Sequence, residues 1–304
     1  MFRPIQVAGL RWLALTVLLA ECTVADHAAD EAPDDRLVVL IAVDQLRADY
    51  LTRWPAHFNR GFARLLEHGA FFANACVSYG AIETPPGHAT IGTSCLPRQH
   101  GIVGNKWFLE AGVTTPQQPV EPTRRRNRSH WVSTCPWIYC DPRLVELDNE
   151  RAGKLTQAAT KLLRQTSRIA DVFTAADLSS PAPASDDHER WLAWRSYHPQ
   201  RSGRFYVRLA PGWTAKDPAS IATHAGGSRS DRHVPILLAG AGVRAGQYCS
   251  AADLLDLAPT LSAGLGIEPP PEAVGRVWGE ALRADAASGP PRLPLRPDTP
   301  GGDL

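Results

Sequence analysis

The sequence has little net charge, no long uninterrupted apolar stretch and no internal repeat. Its 304 residues carry 32 Lys and Arg against 31 Asp and Glu, a net charge of +1. That balance gives no ground for a general binder of nucleic acid or membrane surfaces. The apolar run Trp12–Ala20 is too short to span a bilayer comfortably. Cysteine is sparse: Cys22, Cys76, Cys95, Cys135, Cys140 and Cys249. The closely spaced Cys135 and Cys140 lack a second ligand pair, so a structural zinc site there has weak support. What is present is ordinary: 44% apolar and 21% charged residues, enough to build a globular core.

The N-terminus is patterned. Arg3 and Arg11 precede the apolar run, and small residues at Thr23 and Ala25 follow it. This is a charged region, an apolar region and a cleavage site, so residues 1–25 are read as a signal peptide. The expected location is periplasmic or secreted. A buried first helix is the plain alternative. Leu19-Ala20-Glu21-Cys22 also resembles a lipoprotein cleavage box, with Glu21 where a small residue is expected, so lipid anchoring at Cys22 is a second alternative. Export implies a compartment where disulfides persist. Cys76–Cys95 and Cys135–Cys140 are possible pairs, and spacing does not fix connectivity.

Residues 26–36 read as an acidic linker. Arg36–Val43 is a continuous apolar, β-branched run that predicts a strand buried on both faces of a parallel sheet. It ends at Asp44. Ligands in open α/β sheets gather beyond the carboxyl ends of strands, so Asp44 is a site candidate, or equally the N-cap of the next helix. Helices are expected over 46–51 and 58–67, with Gly69 at the C′ position, then a strand over 70–77. Further expectations are a surface loop over 110–135, a helix over 146–165, strands near 168–174, 204–209 and 234–239, and a helix over 251–265. The tail, 269–304, is rich in Pro and Gly and is expected to be partly disordered.

The stretch Gly80–Trp107 concentrates candidate chemistry. In Thr84-Pro85-Pro86-Gly87-His88 the prolines are compatible only with a turn or a first helical turn. A threonine hydroxyl beside free N–H groups suits an anionic substrate, though it needs a base or a metal to become a nucleophile. Taken singly, Thr84 is an ordinary cap residue. Asn105, in a Gly-containing loop, is positioned to donate to an oxyanion or simply to serve a turn. His88 and His100 are read as structural. The basic run Arg124–Arg128 is read as a solvated loop, with phosphate binding as its sharper alternative.

Several motifs then fall together. Val38–Tyr50 resembles the first strand and metal-binding Asp of the alkaline phosphatase superfamily, nearest the type I phosphodiesterase/nucleotide pyrophosphatase branch with its secreted threonine-nucleophile phosphatases. Thr84-Pro-Pro-Gly-His-Ala-Thr resembles the nucleophile motif of that branch, and Pro97–Asn105 the segment that follows it. Thr223–Pro235 is similar to its last metal-ligand motif, with Ala225 where the family has Gly, and Asp253–Leu261 to the helix after it. The resemblance implies two zinc ions, with Asp44, Thr84 and His224 as ligands, Thr84 as nucleophile and Asn105 as oxyanion donor. It implies an α/β fold with a mostly parallel central sheet flanked by helices over 37–268. It implies a phosphate-ester substrate.

Family members carry four more ligands, in an Asp…His pair and an Asp-His-Gly turn. Here the chain passes almost directly from Asp141 to Arg168, so the domain reads as internally truncated. Ser185-Asp-Asp-His188 is the nearby substitute, without a buried strand before it or a Gly after it. Two functions therefore compete: zinc-dependent hydrolysis of phosphate monoesters or diesters through a phospho-threonine, and an inactive or phosphate-binding remnant. A partner chain supplying the absent ligands is a third. The protein partners are not legible.

Overall fold

The computed structural model describes residues 37–109, 112–115, 118–121, 131–134, 136–140, 149–184, 186–215, 223 and 227–283. The signal-peptide and linker expectations, the basic run Arg124–Arg128, Cys22, Cys135 and His224 lie outside the described residues. The chain divides into two units, Met1–Ile41 and Ala42–Leu304.

The first unit contributes only residues 37–41 to the description. They belong to no strand, and Leu37–Val43 as a whole is irregular and exposed, contrary to the buried strand expected there. A strand buried on both faces belongs to a sheet with other elements packed over both of them. The described strands of the second unit find their partners among themselves.

In the second unit α1 (Ala48–Arg53) and α2 (Gly61–His68) lead to β1 (Ala70–Phe72). Gly69 ends α2 with extended backbone, φ −109° and ψ 177°, not the left-handed turn expected of it. Its glycine serves close approach instead: a Cβ there would lie 2.5 Å from the carbonyl oxygens of Leu238 and Leu65. Next come α3 (Thr84–Thr93), α4 (Pro97–His100), β2 (Trp107–Leu109), β3 (Gly112–Thr115), β4 (Gln118–Glu121), β5 (Trp131–Thr134) and β6 (Trp137–Cys140). The surface loop expected over 110–135 thus contains strands. Then follow α5 (Asn149–Arg164), β7 (Ile169–Thr174), α6 (Ala175–Ser179), α7 (His188–Ser196) and β8 (Phe205–Leu209). The last elements are α8 (Arg229–Arg232), β9 (Ile236–Leu238), β10 (Gly246–Tyr248) and α9 (Leu257–Leu265).

The class is α/β, with helices and small sheets. The sheets are three: β10-β1-β9, β2-β3-β4 and β5-β6-β8-β7. Among the described ladders β1–β10 runs parallel and the others antiparallel, so the mostly parallel arrangement expected is not what the strands form. Parallel neighbours need a long crossover between them. Between Trp107 and Cys140 the described strands instead pair antiparallel with strands close to them in the sequence.

One core packs Phe72, Ile236, Leu238, Leu257 and Trp278 together. A second gathers Val103, Trp107, Trp137, Leu178, Tyr197 and Tyr206 beside the Asn105 loop. Order runs past the expected boundary at Glu268: Trp278, Ala281 and Leu282 are buried, and the Trp278 amide donates to Thr260 Oγ1 at 3.0 Å. A Pro/Gly-rich composition removed regular secondary structure there without removing apolar anchors. Cys76, Cys95 and Cys140 are free thiols, so the Cys76–Cys95 pairing is not made. The Cys95 thiol points at the Glu272 carbonyl at 3.1 Å, and Cys76 lies 3.5 Å from an Arg232 nitrogen.

Candidate active site

Helix α3 begins at Thr84, so Thr-Pro-Pro forms its first turn and not a turn ahead of it. Pro85 and Pro86 sit in the first turn, where missing N–H groups cost nothing and the fixed φ is already helical. Glu83 is the N-cap residue, extended at φ −105° and ψ 166°, and makes no side-chain cap bond. This local geometry leaves Thr84 half-buried at the start of the helix. At the other end Ser94 takes a left-handed φ of 57°, and its hydroxyl is fixed by the Leu255 carbonyl and the Gly275 amide.

The structure brings Asp44 to Thr84. The Thr84 hydroxyl donates to Asp44 Oδ2 at 3.0 Å, across a separation of 40 residues. Asp44 itself is exposed. Beside it Gln45 holds φ at 64°, which is uncommon for a residue with a side chain and found more often near functional sites. The Asp44-Gln45 turn therefore aims the carboxylate toward α3 instead of starting a helix, and α1 opens only at Ala48, without a side-chain cap.

Asn105 joins the pair through a residue that the sequence reading missed. The Asn105 backbone N–H donates to Glu83 Oε2 at 2.5 Å. Glu83 thus ties the nucleophile helix to the Asn105 loop. The carboxylate immediately before Thr-Pro-Pro was the available signal. Gly104 makes room for it, since a Cβ at that position would lie 2.7 Å from Glu83 Oε2. Asn105 is exposed, which leaves its side chain accessible to a ligand. Replacing Glu83 by Ala is expected to cost about 1.5–3 kcal/mol of stability, the worth of a hydrogen bond to a charged group. Exchange of the Asn105 amide proton should quicken at the same time. Glu83→Gln keeps an acceptor oxygen and should fall between, as native-state hydrogen exchange and urea denaturation would show.

His100 is structural, as expected. Its Nδ1 accepts the Ile102 N–H at 3.0 Å, and its Nε2 lies 3.3 Å from Thr90 Oγ1. Burial first, then the charges of Arg201 and His198, pull its pKa down to about 4. The unfolded chain takes up this proton near pH 6.5, the folded chain only near 4. The stability this provides is present above pH 6.5 and lost as pH falls toward 4, up to about 3 kcal/mol. Denaturation at pH 7 and pH 4.5 should show that loss, and His100→Gln should shrink it. His88 Nδ1 lies 2.9 Å from the Thr84 carbonyl oxygen, which accepts from it inside the same helix.

The zinc expectation meets a shortage of donors. Asp44 and Thr84 supply two oxygens, and zinc is held by three or four protein ligands. Among the described residues no group of three or more His, Cys, Asp or Glu is placed to hold a metal. Asp187 caps α7 through the Arg190 N–H, and His188 Nε2 lies 3.4 Å from the guanidinium of the buried Arg232, so this pair does not substitute for the absent ligands. Burial and that guanidinium lower the His188 pKa. The described residues do not fit a zinc pair.

Residues 38–220 match the type I phosphodiesterase / nucleotide pyrophosphatase family. The alkaline phosphatase PafA of Elizabethkingia meningoseptica is 36% identical over 124 residues, 39% of this chain and 22% of that protein. The alkaline phosphatase PhoK of Sphingomonas sp is 40% identical over 77 residues, 25% of this chain and 14% of that protein. The alkaline phosphatase PhoV of Synechococcus elongatus is 42% identical over 74 residues, 24% of this chain and 14% of that protein. The chain thus spans less than a quarter of the curated relatives it matches. A crystal structure of a substituted PafA superposes with a TM-score of 0.65 at 12% identity, covering 80% of this chain and 98% of that one. That likeness concerns the fold.

Proposed function

The chain belongs to the type I phosphodiesterase / nucleotide pyrophosphatase family, and from that premise we propose that it takes a phosphate ester and moves the phosphoryl group onto Thr84. The observation that carries this reading is the 3.0 Å hydrogen bond from the Thr84 hydroxyl to Asp44. A hydroxyl needs a proton acceptor to attack phosphorus, and Asp44 is in hydrogen-bond reach. In the transfer the Thr84 Oγ1–P bond forms, the ester P–O bond breaks, the hydroxyl proton goes to Asp44, and the leaving alkoxide takes a proton from water. Water then cleaves the phospho-threonine and returns free phosphate from a monoester, or the remaining monoester from a diester. Asn105 donates its side-chain N–H to a phosphoryl oxygen, held in place by Glu83.

Two zinc ions, ligated in part by Asp44, Thr84 and His224, belong to this proposal only as what the resemblance implies. No step is derived through them, because the described residues supply too few donors. The same shortage favours a second reading: a phosphate-binding member of the family that does not turn over. Export to the periplasm or medium completes the proposal and rests on the patterned N-terminus.

Zinc content, measured together with hydrolysis of p-nitrophenyl phosphate and bis(p-nitrophenyl) phosphate, tests both. Turnover with phosphate trapped on the Thr84 peptide after acid quench supports the hydrolase. Phosphate binding without turnover supports the second reading. Neither binding nor turnover overturns the two together.

A further inference from the structure

Ser196, the last residue of α7, carries a hydroxyl that makes three hydrogen bonds. It accepts the backbone N–H groups of two successive residues, Gly80 at 2.8 Å and Ala81 at 3.0 Å, and donates to the Leu192 carbonyl at 2.9 Å. Ser196 is fully buried, and Gly80 and Ala81 are buried with it. The Gly80 N–H has the Leu192 carbonyl as a second acceptor at 3.2 Å. The Ala81 N–H has no other acceptor among the described residues. The rest of this contact is equally close. A Cβ on Gly80 would collide with the Tyr206 hydroxyl, and one on Gly227, at φ 66°, would lie 3.0 Å from the Gly80 carbonyl oxygen.

We propose that Ser196 is a positioning residue for Thr84: by fixing the Gly80 and Ala81 amides it sets the line on which the chain enters α3. The inference rests on the hydrolase reading above. Ala81 stands three residues before Thr84 in the sequence, at most about 10 Å of chain. Ser196→Ala leaves the Ala81 N–H buried without an acceptor, and an unpaired buried donor costs enough to turn its peptide plane toward another one. The contact this disturbs is slight by comparison, one 3.0 Å hydrogen bond from Thr84 to an exposed carboxylate. Two further anchors limit the shift. Ile82 packs with Val77, Tyr79, Leu96 and Leu255, and Glu83 holds the Asn105 amide. Misplacing a reacting group by about 1 Å costs about 10²-fold in rate, so with both anchors kept the expected loss is about tenfold.

Steady-state hydrolysis of p-nitrophenyl phosphate by the full chain provides the test. In Ser196→Ala kcat and kcat/KM should fall together by about tenfold, with KM changed less than about twofold, because only the approach to the transition state is impaired. Ser196→Cys keeps a weaker acceptor of similar size and should fall between; should Ser196→Ala not fold, it reads the same split. Val172→Ala is the control. Val172 is buried in a different core, with Phe205 and Val207, so the variant should lose stability and keep kcat. A wild type without turnover overturns the hydrolase reading and this inference with it. An active wild type whose kcat survives Ser196→Ala, or falls as far in Val172→Ala, overturns the positioning role alone, as does a rise in KM at constant kcat.

Discussion

Thr84→Ala is expected to remove phosphate-ester turnover down to the rate of the buffer, a loss of about 10²–10⁴-fold or more if proton transfer to Asp44 is the contribution forfeited. The change deletes the hydroxyl that reaches Asp44 and leaves the helix intact. Thr84 occupies the first position of α3, where alanine is a good helix former and where Glu83, not Thr84, stands at the cap. The variant should therefore lose only about 0.5–1.5 kcal/mol of stability, the net worth of a typical hydrogen bond, and stay folded. Thr84→Ser keeps a hydroxyl at the same site and should retain measurable turnover. Release of p-nitrophenol at matched protein concentration reads all three chains. Turnover in Thr84→Ala equal to the wild type would end the nucleophile assignment while leaving family membership untouched.

Trp278→Ala is expected to cost about 3–5 kcal/mol of stability, the range for deleting a large aromatic from a core. Its side chain is completely buried. The ring lies 4.2 Å from that of Phe72, centroid to centroid, and its Nε1 donates to Asp256 Oδ2 at 3.2 Å. Asp256 is itself buried and receives the backbone N–H groups of Asp253 and Arg276. Alanine therefore opens a cavity beside Phe72 and removes a donor from a buried carboxylate. Domains of this size are stable by only about 5–15 kcal/mol, so the variant should lose a large share of its margin. Trp278→Phe keeps an aromatic surface and loses the N–H, and should fall in between. Urea midpoints at constant slope measure both. A loss below about 1 kcal/mol in Trp278→Ala would show that the 269–283 segment does not belong to the core.

The motifs of the candidate site were legible because each has a local cause. Two prolines after Thr84 allow a turn or a first helical turn, and the structure takes the second, starting α3 at Thr84. A Gly-bearing loop after Pro97–His100 ends in Asn105, as the residue types indicate. The long helix α5 and the strands β7, β8 and β9 also follow their apolar patterns. What failed depended on distant partners. Leu37–Val43 has the composition of a central strand, but composition does not supply neighbours, and the run stays exposed. Trp278 sits in a stretch whose prolines and glycines predict disorder, and its burial is decided by Phe72 far upstream. Glu83 was missed for the same reason. Its role comes from the Asn105 amide, 22 residues away, and not from its immediate neighbours.

The sheet β10-β1-β9 has a consequence for the order of events during synthesis. Ala70–Phe72 pairs with Ile236–Leu238 on one side and Gly246–Tyr248 on the other, and Phe72 packs on Trp278. Every one of these partners is translated long after β1. Contacts so distant along the chain must close a large loop before they return any stabilisation, which slows folding. The nascent chain therefore cannot complete its first core until residue 278 has left the ribosome, and most of its length is extruded before that core exists. The core around Val103, Trp137 and Tyr206 has no such wait, because all its members precede β9, so the two cores become available in sequence.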